Sequence, residues 1–404
     1  MKQPRSLNFQ ALALVLGMGA SQLLAAALYI LTARGMRPDE YGSVVTAVGL
    51  GLAGAGFADL GANAYWVREL ASQQITQREL NVRVSARFFI VFAASAVIVI
   101  LALSFAPEFV GTGLLLMSTT IAQTVLVPLR AAQRSESVAW LIVVGRVSSV
   151  MIFFGQAAIG IPSGVSLSLS LALGDVSLAI CAFAVTSKPD RLRIRFHAMR
   201  NPWLGTRWYA VTNLSVSAQQ LDLPIVAALA GPGAAGIYGG VNRWTQPLSL
   251  AIGAFASAAA PFIAAEPRLR ELRPQLMRAS WILVGAVALS VAVFAMAPWL
   301  VTSLLGADFS GSAPILRLLS VAMLLNCFTQ PLLVALQSRR RDHLAAGILA
   351  VAVAAQLIVV LALASNLGAL AAGIGVLIAQ VVSLIGTAIC IATIVFRRRR
   401  NASE

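Results

Sequence analysis

Twelve apolar runs of roughly membrane-spanning length divide this sequence, and few architectures can accommodate them. Read as uninterrupted spans, they cover 8–33, 41–66, 83–106, 109–128, 138–160, 164–186, 208–230, 236–262, 277–301, 312–337, 343–364 and 368–396. About 20 apolar residues in a helix cross a hydrocarbon core of about 30 Å, and only helices or closed barrels satisfy every backbone polar group there. No alternating strand pattern is present, so the sequence predicts an all-α integral membrane protein with twelve transmembrane helices. Composition agrees: 11% of the 404 residues are charged and 59% hydrophobic, whereas soluble domains carry about 25% charged residues.

The basic residues orient these spans. One of the two alternating loop sets, which includes both ends of the chain, holds 25 of the 30 lysines and arginines when Arg83, Arg87 and Arg278 in the first turns of the adjoining spans are counted with it. The other holds only Arg34 and Arg37, while Arg146, Arg243 and Arg317 fall inside spans. The positive-inside rule then puts both termini in the cytoplasm of a cell inner membrane. The net charge of +15 is thus a topology signal and an attraction to anionic membrane lipids, with no nucleic-acid partner expected. The basic segment 188–207 and the run Arg397 to Arg400 are expected to lie on that lipid surface. The first span follows Lys2 and Arg5 and is expected to be a retained helix, because eleven similar runs follow it.

Two landmarks recur at nearly one offset. Gly35 to Pro38 before Tyr41-Gly42 returns as Gly231-Pro232 before Tyr238-Gly239, 197 residues on, and Pro128-Leu129 echoes Pro331-Leu332 at 203. A duplicated unit follows. The expected organisation is a six-helix lobe over 1–187, a basic cytoplasmic linker over 188–207, and a second six-helix lobe over 208–404, around a central cavity.

Polar groups at membrane depth mark candidate sites, since each charge there costs about 2.5–3.5 kcal/mol or more on insertion scales. Arg146 and Asp175 lie at similar depth on consecutive spans, as do Asp222 and Arg243. Each pair is expected either to lock a helix hairpin or to face a watery cavity. Arginine there would suit a substrate phosphate, because its planar fork donates two parallel hydrogen bonds. Asn213, Gln219 and Gln220 in span seven, with Asn242 and Gln246 in span eight, are the remaining cavity candidates. A small-residue face of Ser249, Gly253 and Ser257 continues span eight. Asp59 is read either as an interfacial helix-end residue or as an ion-coupling group beside Asp175 and Asp222. Pro128, Pro224, Pro247 and Pro331 permit kinks.

No phosphate-cradling glycine loop with lysine, metal-ligand cluster or paired nucleophile and base appears, so no catalytic residue, metal or cofactor is expected. Cys181, Cys327 and Cys390 each sit alone in an apolar span and read as small core residues.

Arg34 through Gly42, then Ala58-Asp59-Leu60-Gly61 and Val67-Arg68-Glu69-Leu70, resemble the N-terminal signature of polysaccharide-biosynthesis flippases. Those belong to the multidrug, oligosaccharidyl-lipid and polysaccharide exporter superfamily. The resemblance implies two bundles around a cavity, alternating access, and a polyprenyl-diphosphate-linked sugar or oligosaccharide carried from the inner to the outer leaflet for surface polysaccharide synthesis. A glycan polymerase or glycosyltransferases are the partners expected with it, and the resemblance implies cationic groups in the cavity meeting the diphosphate or acidic sugars, for which Arg146 and Arg243 are the candidates by depth. Twelve spans argue against the peptidoglycan-precursor branch of that superfamily, which usually has fourteen. The alternative is a cation-coupled multidrug exporter, with Asp59, Asp175 or Asp222 carrying the coupling.

Overall fold

The computed structural model describes residues 7–194, 200–245, 273–338 and 342–401. All the regular secondary structure among these residues is helical. In chain order the helices are α1 (Leu7–Arg34), α2 (Pro38–Asp59), α3 (Ala62–Ala71), α4 (Gln77–Phe105), α5 (Val110–Val125), α6 (Val127–Ala131), α7 (Ser135–Ala158) and α8 (Ser163–Val185). The second half follows with α9 (Arg207–Gln219), α10 (Asp222–Ala230), α11 (232–245), α12 (Arg273–Leu304), α13 (Ala313–Ser338), α14 (Asp342–Leu367) and α15 (Ala369–Asn401).

Ten of the expected spans are present as stretches long and apolar enough to cross a bilayer. The other two are the seventh and eighth. The seventh is two helices, because Pro224 has no N–H to give the Gln220 carbonyl and its ring crowds that carbonyl. The chain tightens there: the N–H groups of Gln220 and Leu221 reach back three residues, to Ser217 and Ala218, before α10 begins. The eighth is described only as far as residue 245, so Gln246, Pro247, Ser249, Gly253 and Ser257 lie outside the described residues.

The second span is also divided, which corrects the single run expected over 41–66. Leu60 and Gly61 both take left-handed backbone angles, with φ of 45° and 69°, and separate α2 from α3. Gly61 is required twice over: its φ suits glycine, and a methyl group there would meet the backbone of Tyr209 at 2.5 Å. At the other end Pro38 opens α2, with the Arg37 N–H donating to the Glu40 carboxylate at 3.5 Å.

In the first lobe α7 packs on α1 and α8, and α5 lies among α2, α4 and α8. In the second, α13 packs on α12 and α15, and α14 lies against α15, α9 and α10. The lobes meet along α2. Its glycines at 42, 49 and 56 fall every seventh residue, hence on one face, and each meets the other lobe. A methyl group on Gly42 would lie 1.8 Å from the Pro232 carbonyl oxygen, on Gly49 2.8 Å from Arg243 Nη2, and on Gly56 2.0 Å from Ser217 Oγ.

This seam is tightest at the arginine-poor end. Gly236 faces Pro38 as Gly42 faces Pro232, again with 1.8 Å left for a methyl group. Arg34, at the end of α1, donates to the carbonyls of Leu304 (2.9 Å) and Ser303 at the end of α12, where helix carbonyls lack internal partners. The Tyr41 ring meets Phe309 edge-on at 5.7 Å. A shared core including Leu28, Val45, Leu223 and Tyr238 lies behind these contacts. The two lobes are thus shut at this end.

Candidate functional site

Toward the arginine-rich end the seam parts into a cavity of about 440 Å³ between the lobes. The second half of α2, the start of α3, the end of α5, Arg130 of α6 and the second half of α9 line it, with Arg243 of α11 at its deep end. The polar walls arise from helix position: Thr119, Thr120 and Gln123 share a face of α5, while Asn213, Ser217 and Gln220 share one of α9.

Arg243 is 4% exposed. Its Nη1 donates to Gln220 Oε1 at 2.9 Å, its guanidinium stands 6.0 Å from the Tyr29 ring centre, and its Nε has no hydrogen-bond partner among the described residues. Arg130 stands nearer the mouth and donates to Gln123 at 3.3 Å.

Asp59 also lines this cavity, but its charge is engaged. Arg87, fully buried, donates to Asp59 Oδ1 at 2.6 Å and to Asn63 Oδ1 at 2.8 Å, and also to Thr124 Oγ1. The guanidinium lies 4.4 Å from the Trp66 ring centre. Both terminal nitrogens of Arg87 are thus hydrogen-bonded, which offsets part of the cost of taking the ion pair out of water. Asp59 joins α2 to α4, and its Oδ1 accepts the Asn63 N–H at 3.1 Å.

A second cavity, of about 320 Å³, lies within the second lobe and shares Gln220 with the first. Gln219, Asp222 and Asn242 line it. Asp222 accepts from the Tyr238 hydroxyl, from Gln356 Nε2 at 3.0 Å and from the Leu223 N–H at 2.6 Å.

The sequence candidates thus divide. Arg243, Asn213, Gln220 and Asp59 come together at the inter-lobe cavity; Gln219, Asp222, Asn242 and again Gln220 at the inner one. Arg146 and Asp175 line neither, and Asp175 accepts from Thr119 Oγ1 at 2.7 Å. Neither expected charge pair is a direct ion pair: Asp175 takes its hydrogen bond from Thr119, Asp222 from Tyr238, Gln356 and Leu223, and Arg243 gives Nη1 to Gln220. Similar depth fixes the level of two side chains but leaves their direction around the helix axis free. Asn213 spends its amide on the Gly56 carbonyl at 2.7 Å, tying α9 to α2.

Arg130, Gln123 and Asn63 were absent from the sequence candidates, as were Asn326, Gln330 and Gln380 of the inner cavity. The last three carried a usable signal, an isolated amide in an apolar span. Arg130 and Arg87 did not, because both fall within the run of loop arginines.

No protein-family model matches this sequence, and no curated protein matches it. Solved structures do match. An inward-facing multidrug resistance MATE family transporter of the MOP superfamily aligns with a TM-score of 0.68 at 14% identity, covering 97% of this chain and 99% of its own. An outward-facing MATE family transporter gives 0.60 at 15% identity, covering 96% of this chain and 95% of its own. The lipid II flippase MurJ, in an inward closed conformation, gives 0.65 at 11% identity, covering 94% and 87%. At these identities the likeness establishes a fold: this chain is a multi-pass membrane protein with the architecture of MOP superfamily transporters.

Proposed function

We propose that this protein is a flippase that moves a polyprenyl-diphosphate-linked sugar or oligosaccharide from the inner to the outer leaflet by alternating access. The observation that carries the reading is Arg243. It is a nearly fully buried cation at the deep end of an inter-lobe cavity, with, among the described residues, no carboxylate at ion-pair distance and no partner for its Nε. A diphosphate supplies what this guanidinium lacks, and Arg130, from the other lobe, adds a second cation to the lining of the same cavity. Asp59, the acid of this cavity, is neutralised by Arg87.

On this reading the positive-inside rule puts the arginine-rich ends in the cytoplasm, which sets the cavity on the side of the leaflet where lipid-linked sugars are assembled. With the arginine-poor end closed, the state is read as inward-facing. Arg34, Tyr41 and the Gly42 crossing form the outer gate.

Arg243→Gln should lower flipping of a fluorescent polyprenyl-diphosphate-linked glycan in proteoliposomes by more than tenfold, while Arg243→Lys keeps the charge but loses the fork and gives an intermediate rate. The competing reading, a cation-coupled multidrug exporter, is favoured by Asp222 lining the inner cavity. It wins if Arg243→Gln leaves glycan flipping intact and Asp222→Asn abolishes the efflux of cationic drugs.

A further inference from the structure

The inner cavity has an unusual wall for a membrane interior. Six carboxamides converge on it: Gln219 of α9, Gln220 at the helix break, Asn242 of α11, Asn326 and Gln330 of α13, and Gln380 of α15. Facing lipid, each would be an unsatisfied polar group at a cost of several kcal/mol, so their common direction calls for a polar occupant.

Their chemistry narrows that occupant. A carboxamide carries donors and an acceptor on one planar group. A phosphate only accepts and an ammonium only donates, so either would leave half of each amide idle. A sugar hydroxyl does both. The remaining wall is aliphatic, including Leu319, Met323, Leu349 and Val353, and suits the C–H faces of a sugar ring. Among the described residues the lining contains no cation. Its one acid, Asp222, already holds the Tyr238 hydroxyl, the Gln356 amide and the Leu223 N–H.

The amides also retain free capacity. Gln330 donates to Asn326 at 3.1 Å, and Gln219 to Gln356 at 3.3 Å, leaving the Gln330 and Gln219 carbonyls available. Asn242 and Gln380 make no side-chain hydrogen bond to any described residue. At about 320 Å³ the space sits at the small end of ligand pockets, which run from about 300 to 1,000 Å³. It holds one or two rings rather than a long glycan.

We infer that this amide-lined chamber is a subsite for the hydroxyls of an uncharged sugar, occupied while the phosphate of the same molecule lies beside Arg243 in the adjoining cavity. The inference rests on the flippase reading and extends it: Gln220, which lines both spaces, marks where the sugar–phosphate junction sits.

Binding to the full chain in lipid nanodiscs tests this with four short-chain prenyl probes: the diphosphate bearing a neutral hexose, the bare diphosphate, the diphosphate bearing a hexuronate, and a prenyl hexose without phosphate. The hexose diphosphate should bind about tenfold more tightly than the bare diphosphate, and the hexuronate, a carboxylate brought near Asp222, more weakly than the hexose. Asn242→Leu and Gln380→Met should each weaken the hexose probe about fivefold, and their combination should bring it to the level of the bare diphosphate. Unchanged affinity for the bare diphosphate shows that the variants are folded. Equal binding of hexose and bare diphosphate by the unmodified chain, or equal weakening of both by the variants, overturns the subsite and leaves the phosphate reading standing. If the phosphate-free prenyl hexose binds as well as the full probe, the Arg243 reading fails and the sugar chamber survives.

Discussion

Gly42→Ala should prevent the arginine-poor ends of the two lobes from closing and should reduce transport by well over tenfold. The added methyl group would sit 1.8 Å from the Pro232 carbonyl oxygen and 2.7 Å from the Gly236 nitrogen. Neither obstacle is a side chain that can rotate away; both are backbone. The helices must separate by more than an ångström, breaking the Tyr41–Phe309 edge contact and drawing Arg34 off the end of α12. Overpacking of this kind ordinarily costs about 1–3 kcal/mol, and it falls on the closed state alone, so the population moves toward an open arginine-poor end. Spin labels at Asp39 and Ser310, in a cysteine-free background, should report a longer distance in the variant. Arg34→Met should act in the same direction and by less, because it removes two hydrogen bonds without inserting an obstacle. A Gly42→Ala protein with the original label distance and transport rate would show that the crossing is no gate.

Replacing Arg87 with methionine should destabilise the first lobe by about 3–5 kcal/mol, the usual consequence of removing one partner from a buried ion pair. The side chain is 0% exposed and ties α4 to Asp59 of α2, Asn63 of α3 and Thr124 of α5. Its loss leaves a carboxylate and two polar side chains without their donor, and uncovers the face of Trp66. Lysine would not substitute, since a single ammonium cannot reproduce a fork aimed at three acceptors. Thermal unfolding in detergent of Arg87→Met, Asp59→Asn and the double variant gives the cycle. The double variant should be more stable than the sum of the two single losses implies. A loss below about 1 kcal/mol for Arg87→Met would mean that water already reaches this network.

The contrast between these two sites shows what a linear sequence exposes. Segment length and hydropathy report the number of crossings, and Pro38, Pro224 and Gly61 report where helices start or break, because their backbone chemistry is local. Facing direction is not local. Arg87 reads as one more loop arginine, yet α4 begins at Gln77 and carries it nearly three turns inward, onto a buried face. Arg146 and Asp175 match in depth but lack a direct ion pair. The seven-residue spacing of Gly42, Gly49 and Gly56 was written in the sequence, and so was the echo of the first hairpin in the second. That the two hairpins would press against each other was not, because repetition fixes likeness between segments and says nothing about their meeting.

The Gln220 side chain lines both spaces, and its carbonyl accepts from Arg243. On the flippase reading, a guest whose phosphate draws the guanidinium away frees a lone pair of that carbonyl for a hydroxyl in the neighbouring room. Occupancy on one side of this side chain therefore alters affinity on the other, and the factor must be the same in both directions. A cargo with both kinds of group satisfies the two rooms at once; a cargo with one leaves a debt in the other. On the flippase reading, discrimination between complete and unfinished molecules would then follow from a single amide standing in a doorway.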